Sequence, residues 1–113
     1  MAIISSRDSP ALHHRARELG INHVRVGVSD KVAELRDLSA ALGVPLRQVC
    51  YVGDDDPDVP AMGLAGVSAA PPDAASAPRA QAAIQLHGRG GRGAVRELAD
   101  LLLAELAGSG PNG

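Results

Sequence analysis

A chain of 113 residues, 45% of them hydrophobic, is long enough for one compact domain that buries roughly 65% of its unfolded surface. Tyr51 is its only aromatic residue, so the core is aliphatic and no platform exists on which bases could stack, which excludes single-strand nucleic-acid binding of the usual kind. Eleven basic residues against thirteen acidic ones leave a net charge of −2, too balanced for a DNA, RNA or anionic-membrane partner.

The chain opens on Ala2-Ile3-Ile4, an apolar run that predicts a buried strand. Ser9-Pro10 is a helix cap and first-turn pair, Leu12, Ala16 and Leu19 share one helical face, and Gly20 stops the helix. His23 to Val26 predicts a second strand. Val32, Leu35, Leu38 and Leu42 then recur at helical spacing between Ser29-Asp30 and Gly43, giving a second amphipathic helix. Pro45 begins a turn, and Val49-Cys50-Tyr51-Val52 is a third strand that runs through Gly53 into Asp54-Asp55-Asp56-Pro57-Asp58.

Beyond the acidic run, Pro60 to Ala65 predicts a short helix and Val67 to Ala70 a fourth strand. Pro71-Pro72-Asp73 is a loop, an Ala-rich helix runs to about Ala82, and Ala83 to Leu86 is a weak strand. Gly88 to Gly93 forms a Gly/Arg loop before a last helix striped with Val95, Leu98, Leu102 and Leu106, and residues 108–113 read as a flexible tail. This alternation predicts an α/β fold, Rossmann-like, with helices on both faces of a parallel sheet. Ligands of such sheets bind beyond the carboxyl ends of the strands. Ser5-Ser6-Arg7, Ser29-Asp30-Lys31 and the aspartate cluster each follow a strand, so three separate loops are predicted to meet on one rim.

Each loop has a chemical and a structural reading. Four aspartates within five positions repel one another unless a cation or a buried partner offsets them, and hard oxygen ligands suit Mg²⁺; the alternative is a solvated acidic turn that caps the next helix. Lys31, the single lysine beside ten arginines, opens a helix where its charge opposes the dipole, a conflict that a bound phosphate resolves and a side chain pointing outward avoids. Ser5 and Ser6 are placed to grip phosphoryl oxygens, with Arg7 for a second anionic group, or simply to cap the helix with Ser9. Arg15 lies two turns beyond Arg7, toward the same rim or toward solvent. Gly88-Arg89-Gly90-Gly91-Arg92-Gly93 matches the dinucleotide pattern G-x-G-x-x-G only literally, because no strand with an acidic residue follows; an anion-binding loop fits better. His13 and His14 are adjacent on a helix and cannot share a metal, and His23 and His87 form no pattern.

Cys50 is the only cysteine, so an internal disulfide or a multi-cysteine zinc site is excluded, and its apolar neighbours predict a buried thiol. No apolar run reaches the length of a membrane span, and the amino terminus lacks the features of a signal peptide, so the expected location is cytoplasmic.

Taken together, these segments resemble the haloacid dehalogenase superfamily, most closely its cap-less branch of 3-deoxy-D-manno-octulosonate 8-phosphate phosphatases. Ile3-Ile4-Ser5-Ser6-Arg7 resembles Ile-Ile-Thr-Gly-Arg, Ser29-Asp30-Lys31 the segment of the phosphate-binding lysine, and Tyr51-Val52-Gly53-Asp54-Asp55 with Asp58 the metal motif Tyr-Val-Gly-Asp-Asp-x-x-Asp. Asp73-Ala74 and Gly90-Gly91-Arg92-Gly93-Ala94-Val95-Arg96-Glu97 also match. The resemblance implies a three-layer domain over residues 1–107 and Mg²⁺ on Asp54 and Asp55 with Asp58 in support. It further implies phosphate on Ser5, Ser6 and Lys31, with Lys31 catalytic, and an acidic sugar-phosphate substrate met by Arg7, Arg15 and Arg92. It also implies a homo-oligomer, a tetramer, in which the Gly/Arg loop reaches a neighbour's site.

Two features depart from the pattern. Ser6 stands where the branch has glycine, and the Asp-x-Asp of the central strand, whose first member is the nucleophile and whose second is the general acid/base, is absent ahead of Ile3. The sequence therefore reads as a fold truncated at its amino terminus, inactive by itself, with its neighbouring strands unpaired or forced together. One alternative is a non-catalytic module of this fold, related to the one fused to acylneuraminate cytidylyltransferases. A signalling receiver domain is less compatible, because receivers place the acidic pair early and the lysine last.

Overall fold

The computed structural model describes residues 1–6 and 10–86; the predicted last helix, the tail and Arg7, His87 and Arg92 lie outside the described residues. Five strands form one parallel sheet: β1 (Ala2–Ser5), β2 (Asn22–Arg25), β3 (Val49–Val52), β4 (Val67–Ala70) and β5 (Ile84–Gln85), in the order β2-β1-β3-β4-β5. Four helices connect them: α1 (Pro10–Glu18), α2 (Lys31–Leu42), α3 (Val59–Leu64) and α4 (Ser76–Gln81). The predicted parallel α/β sheet is thus the observed one.

Side-chain alternation sorts the core into two halves. β1 is buried at every position, as a strand covered on both faces requires. Ile3 and its register partner Cys50 face one side, where they meet Ala16 of α1, Ile21, Ala69 and Leu86. Ile4 and its partner Tyr51 face the other, packed with Leu35 of α2 and with Ala61 and Met62 of α3. Helix, sheet and helix are therefore three layers with two aliphatic interfaces.

Local signals fix the element ends. The Asp30 carboxylate accepts from the Ala33 amide at 3.2 Å and caps α2, whose far end closes on Gly43 at φ 66°. Gly66 is required for another reason: a Cβ there would lie 2.1 Å from the Arg47 carbonyl oxygen, so no side chain fits between the β3 approach and β4. Among the described residues no helix is long and apolar enough to cross a membrane.

The chain leaves β1 toward β2 on one side and later returns to β3 on the other. The strand order therefore reverses between β1 and β3, and this topological switch point is where α/β sheets open a crevice beyond their strand ends. β1 and β3 pair directly, from Ala2 opposite Val49 to Ser5 opposite Val52. Ser6 and Gly53-Asp54 thus leave the sheet side by side.

Candidate active site

The site is built around one carboxylate. After β3 the chain turns through Asp54 and Asp55 into a short 3₁₀ turn over Asp56–Asp58, with Pro57 within the turn. The turn is closed by a reciprocal cap in which the Asp55 side chain accepts from the Asp58 amide and the Asp58 side chain accepts from the Asp55 amide. Asp58 is 0% exposed. Its Oδ2 accepts from the backbone amides of Asp54 at 3.0 Å and Asp55 at 3.1 Å, and from the Ser6 hydroxyl at 2.9 Å. Its Oδ1 accepts from the Tyr51 hydroxyl and from Lys31 Nζ, each at 2.8 Å.

These contacts explain the protonation states. Burial by itself would raise the Asp58 carboxyl, but hydrogen bonds from Lys31, Tyr51 and the two amides outweigh it and hold the group below the ordinary carboxylate range. The same burial, with the Asp58 charge beside it, pushes the Tyr51 hydroxyl far up, so it stays a donor. Lys31, with a side chain only 10% exposed, is held by an ion pair that ties α2 to the β3 loop.

Lys31 is in turn aimed by the loop before α2. Glu34 accepts from the Ser29 hydroxyl at 2.5 Å and from the Gly27 amide at 3.0 Å, and these two bonds, the hydroxyl foremost, lower its carboxyl pKa. A third loop also reaches the rim, since the Ala75 amide donates to the Asp54 carbonyl at 2.9 Å. Gly53 keeps the turn tight: a Cβ there would sit 2.6 Å from Met62 Sδ and 2.8 Å from Asp58 Cβ.

The rim thus gathers four of the residues singled out from sequence, Ser6, Lys31, Asp54 and Asp58, in one connected set. Ser6 donates to Asp54 Oδ1 at 3.1 Å as well as to Asp58, although a hydroxyl has one proton to share between them. Other candidates stand apart. Ser5 Oγ is buried on the α1 side, 3.0 Å from His23 Nε2. Arg15 pairs with Glu18 on the outer flank of α1, at 3.1 Å. Asp55 is engaged in the turn cap and Asp56 is exposed. The last member of the acidic run, Asp58, is buried and closes its own turn instead of forming a solvated cap on the next helix, while the first, Asp54, stands at the rim. Sequence reasoning missed His23 as a partner of Ser5 and the Tyr51 hydroxyl as part of the site; only the strand register brings either to its place.

Five donors leave Asp58 no lone pair for a metal, so a cation at this rim would rest on Asp54, with Asp55 next in line. Among the described residues no three His, Cys, Asp or Glu side chains gather into a group that could hold a metal ion. Two adjacent carboxylates of this kind suit Mg²⁺, which is commonly held by one or two carboxylates and keeps waters and substrate oxygens in its shell.

No protein-family profile matches the chain. It is 43% identical over 103 residues to the 3-deoxy-D-manno-octulosonate 8-phosphate phosphatase KdsC of Yersinia pestis, an alignment covering 91% of this chain and 55% of that relative. It superimposes with a TM-score of 0.68 on the cobalt-bound phosphatase of Haemophilus influenzae, at 38% identity over 92% of this chain and 59% of the other. The same score relates it to the Moraxella catarrhalis enzyme solved with magnesium, phosphate and KDO, at 40% identity over 91% and 59%. A putative haloacid dehalogenase family hydrolase of Streptomyces avermitilis follows at 33% identity and a TM-score of 0.63. The chain spans about half the length of the curated relatives it matches.

Proposed function

We propose, for a chain homologous over 91% of its length to 3-deoxy-D-manno-octulosonate 8-phosphate phosphatases and to haloacid dehalogenase hydrolases, that it forms the metal- and phosphate-binding part of a sugar-acid phosphate phosphatase. The observation that carries this reading is the joining of Ser6, Lys31, Asp54 and Asp58 beyond the ends of β1 and β3. Asp54, with Asp55 beside it, would hold Mg²⁺, which when bound offsets the negative charge that builds on a phosphoryl group.

The protein's own residues do the rest. Asp58 holds the Lys31 ammonium at the rim, where a second N–H can meet a phosphoryl oxygen. The Ser6 hydroxyl and the amides that begin the loops offer further donors to the same anion. Arg7 and Arg92 serve the carboxylate of an acidic sugar, and Lys31 is the residue on which turnover depends most. The working form is a cytoplasmic homo-oligomer, a tetramer.

The covalent step needs an aspartate nucleophile. At this rim Asp58 is consumed by its five donors, Asp55 by its cap and Asp54 by the metal role, and β1 ends in hydroxyls. Among the described residues at this rim no carboxylate is then left to act as nucleophile, and on this reading those residues bind without turning over. This favours, as a second reading, a non-catalytic module that recognises a sugar phosphate. The two separate in an assay of p-nitrophenyl phosphate hydrolysis with Mg²⁺, run on the chain alone and on the chain preceded by a strand bearing Asp-x-Asp. Activity only in the extended protein supports the phosphatase; none in either supports the module; robust activity of the chain alone contradicts both.

A further inference from the structure

The loop between β2 and α2 has little to hold it by burial. Val26 before it is buried, but Gly27, Val28, Ser29 and Asp30 are all exposed, and Val28 stands 98% in solvent, the one exposed large hydrophobic side chain among the described residues. A segment without apolar contacts keeps one shape only through its hydrogen bonds. Those bonds run to the opening turn of α2. The Asp30 carboxylate accepts from the Ala33 amide at 3.2 Å, and its carbonyl from the Glu34 amide at 3.0 Å. The other two end on one side chain: Glu34 Oε2 accepts from the Gly27 amide at 3.0 Å and Oε1 from the Ser29 hydroxyl at 2.5 Å.

The residue that follows this loop is Lys31, the first of α2. Asp58 meets its ammonium at 2.8 Å and so fixes the tip of the side chain. An ammonium carries three N–H bonds, and one contact at the tip leaves the other two free to rotate about it. Their direction is set at the root, by the backbone of the loop and of the first turn. Glu34 shapes that root with one oxygen on each of two loop residues. It is also kept ionised there, since the Ser29 hydroxyl first and the Gly27 amide next hold its carboxyl below the ordinary range, and the Lys31 charge adds to them. Among the described residues Glu34 makes no hydrogen bond to Ser6, Lys31, Asp54 or Asp58.

We infer that Glu34 is a positioning residue of the active site: by tying Gly27 and Ser29 to α2 it aims the remaining N–H bonds of Lys31 at the phosphoryl group, acting through the shape of the loop and not through its own charge. The inference rests on the role proposed for Lys31 and goes beyond it in assigning the hold on the loop to a single side chain.

Lys31 is the single lysine of the chain, so labelling with ¹³C-lysine gives one side-chain signal to follow. Glu34→Ala removes both ties. Glu34→Gln keeps them without the charge, its amide oxygen accepting from Gly27 and its amide nitrogen donating to Ser29 Oγ. Glu34 lies outside both core clusters, so neither change opens a cavity. Without metal or phosphate, the Lys31 Cε signal is expected to move and sharpen in Glu34→Ala and to stay close to that of the unaltered chain in Glu34→Gln. With saturating Mg²⁺, inorganic phosphate should bind Glu34→Ala about tenfold more weakly, and Glu34→Gln within about twofold of the unaltered chain, as the loss of roughly one hydrogen bond's worth of preorganisation predicts. A Lys31 signal unmoved by Glu34→Ala, a phosphate affinity unchanged by it, or equal effects of the alanine and glutamine changes would each overturn the inference, the last by assigning the effect to charge. Failure of the unaltered chain to bind phosphate would instead count against the reading of the active site, and the Lys31 signal of the unliganded variants would still decide the role of Glu34.

Discussion

Lys31 Nζ lies 2.8 Å from Asp58 Oδ1, so the first residue of α2 is fastened to the turn after β3 inside a site where Asp58 has no exposure at all. A buried pair of this kind is a weak source of net stability, yet breaking it is costly because one charge is left without its partner.

Lys31→Met should therefore destabilise the chain by about 3–5 kcal/mol, through the Asp58 carboxylate that remains. Asp58→Asn should cost a comparable amount through the stranded ammonium. The double change should cost less than the sum of the two. Urea unfolding of the three variants checks the coupling, and strict additivity would contradict it.

Tyr51→Phe removes the hydroxyl that donates to Asp58 and leaves the ring in the core. The loss of a buried donor to a charged acceptor should cost about 1.5–3 kcal/mol. The same variant should unfold at a higher pH on acidification, because one of the bonds that depress the Asp58 carboxyl is gone. A thermal melt and an acid titration followed by circular dichroism measure both effects.

Asp58 also sets the direction of the acid response. Its folded pKa lies below the unfolded value of about 3.9, so its contribution is fully present above that value and is lost as pH falls through the depressed folded one. Stability should thus fall with acidification in this window, and Asp58→Asn, though less stable at pH 7, should show a flatter profile there. An equally steep loss in the variant would assign the acid response to other groups.

Cys50 is 1% exposed and burial pushes its thiol up to about 12. The native chain should not react with a thiol reagent at pH 8, and the urea-unfolded chain should react at once. Modification of the folded protein at a rate close to the unfolded one would place the thiol outside the core.

Gly53→Ala would drive a Cβ into Met62 and Asp58, at 2.6 Å and 2.8 Å. Overpacking of this kind costs about 1–3 kcal/mol, and here it also displaces the turn that carries Asp54. Mg²⁺ affinity should fall together with stability in this variant, as calorimetry and melting can compare.

Much of this arrangement was legible in the residues. Strands with β-formers on both faces, the Ser29-Asp30 cap, the Gly43 stop and the strand-end position of Asp54 each follow from local chemistry, and the structure places all of them as predicted. The division of labour among the four aspartates was not legible, because it depends on which carboxylate the turn buries. Only the folded turn shows that Asp58 receives five donors and Asp55 caps it, leaving Asp54 at the rim. The two serines reversed in the same way: adjacent strand residues point to opposite faces, so Ser6 reaches the aspartates while Ser5 turns to His23.

The proposed function puts a divalent cation on the Asp54 carboxylate, because Asp58 is already occupied by donors. The decisive experiment is calorimetric titration of the chain with Mg²⁺ in the presence of inorganic phosphate, repeated on Asp54→Ala and on Asp56→Ala. Saturable binding in the unaltered chain and in Asp56→Ala, abolished in a folded Asp54→Ala, is the predicted result. Equal Mg²⁺ binding with and without the Asp54 carboxylate would contradict it.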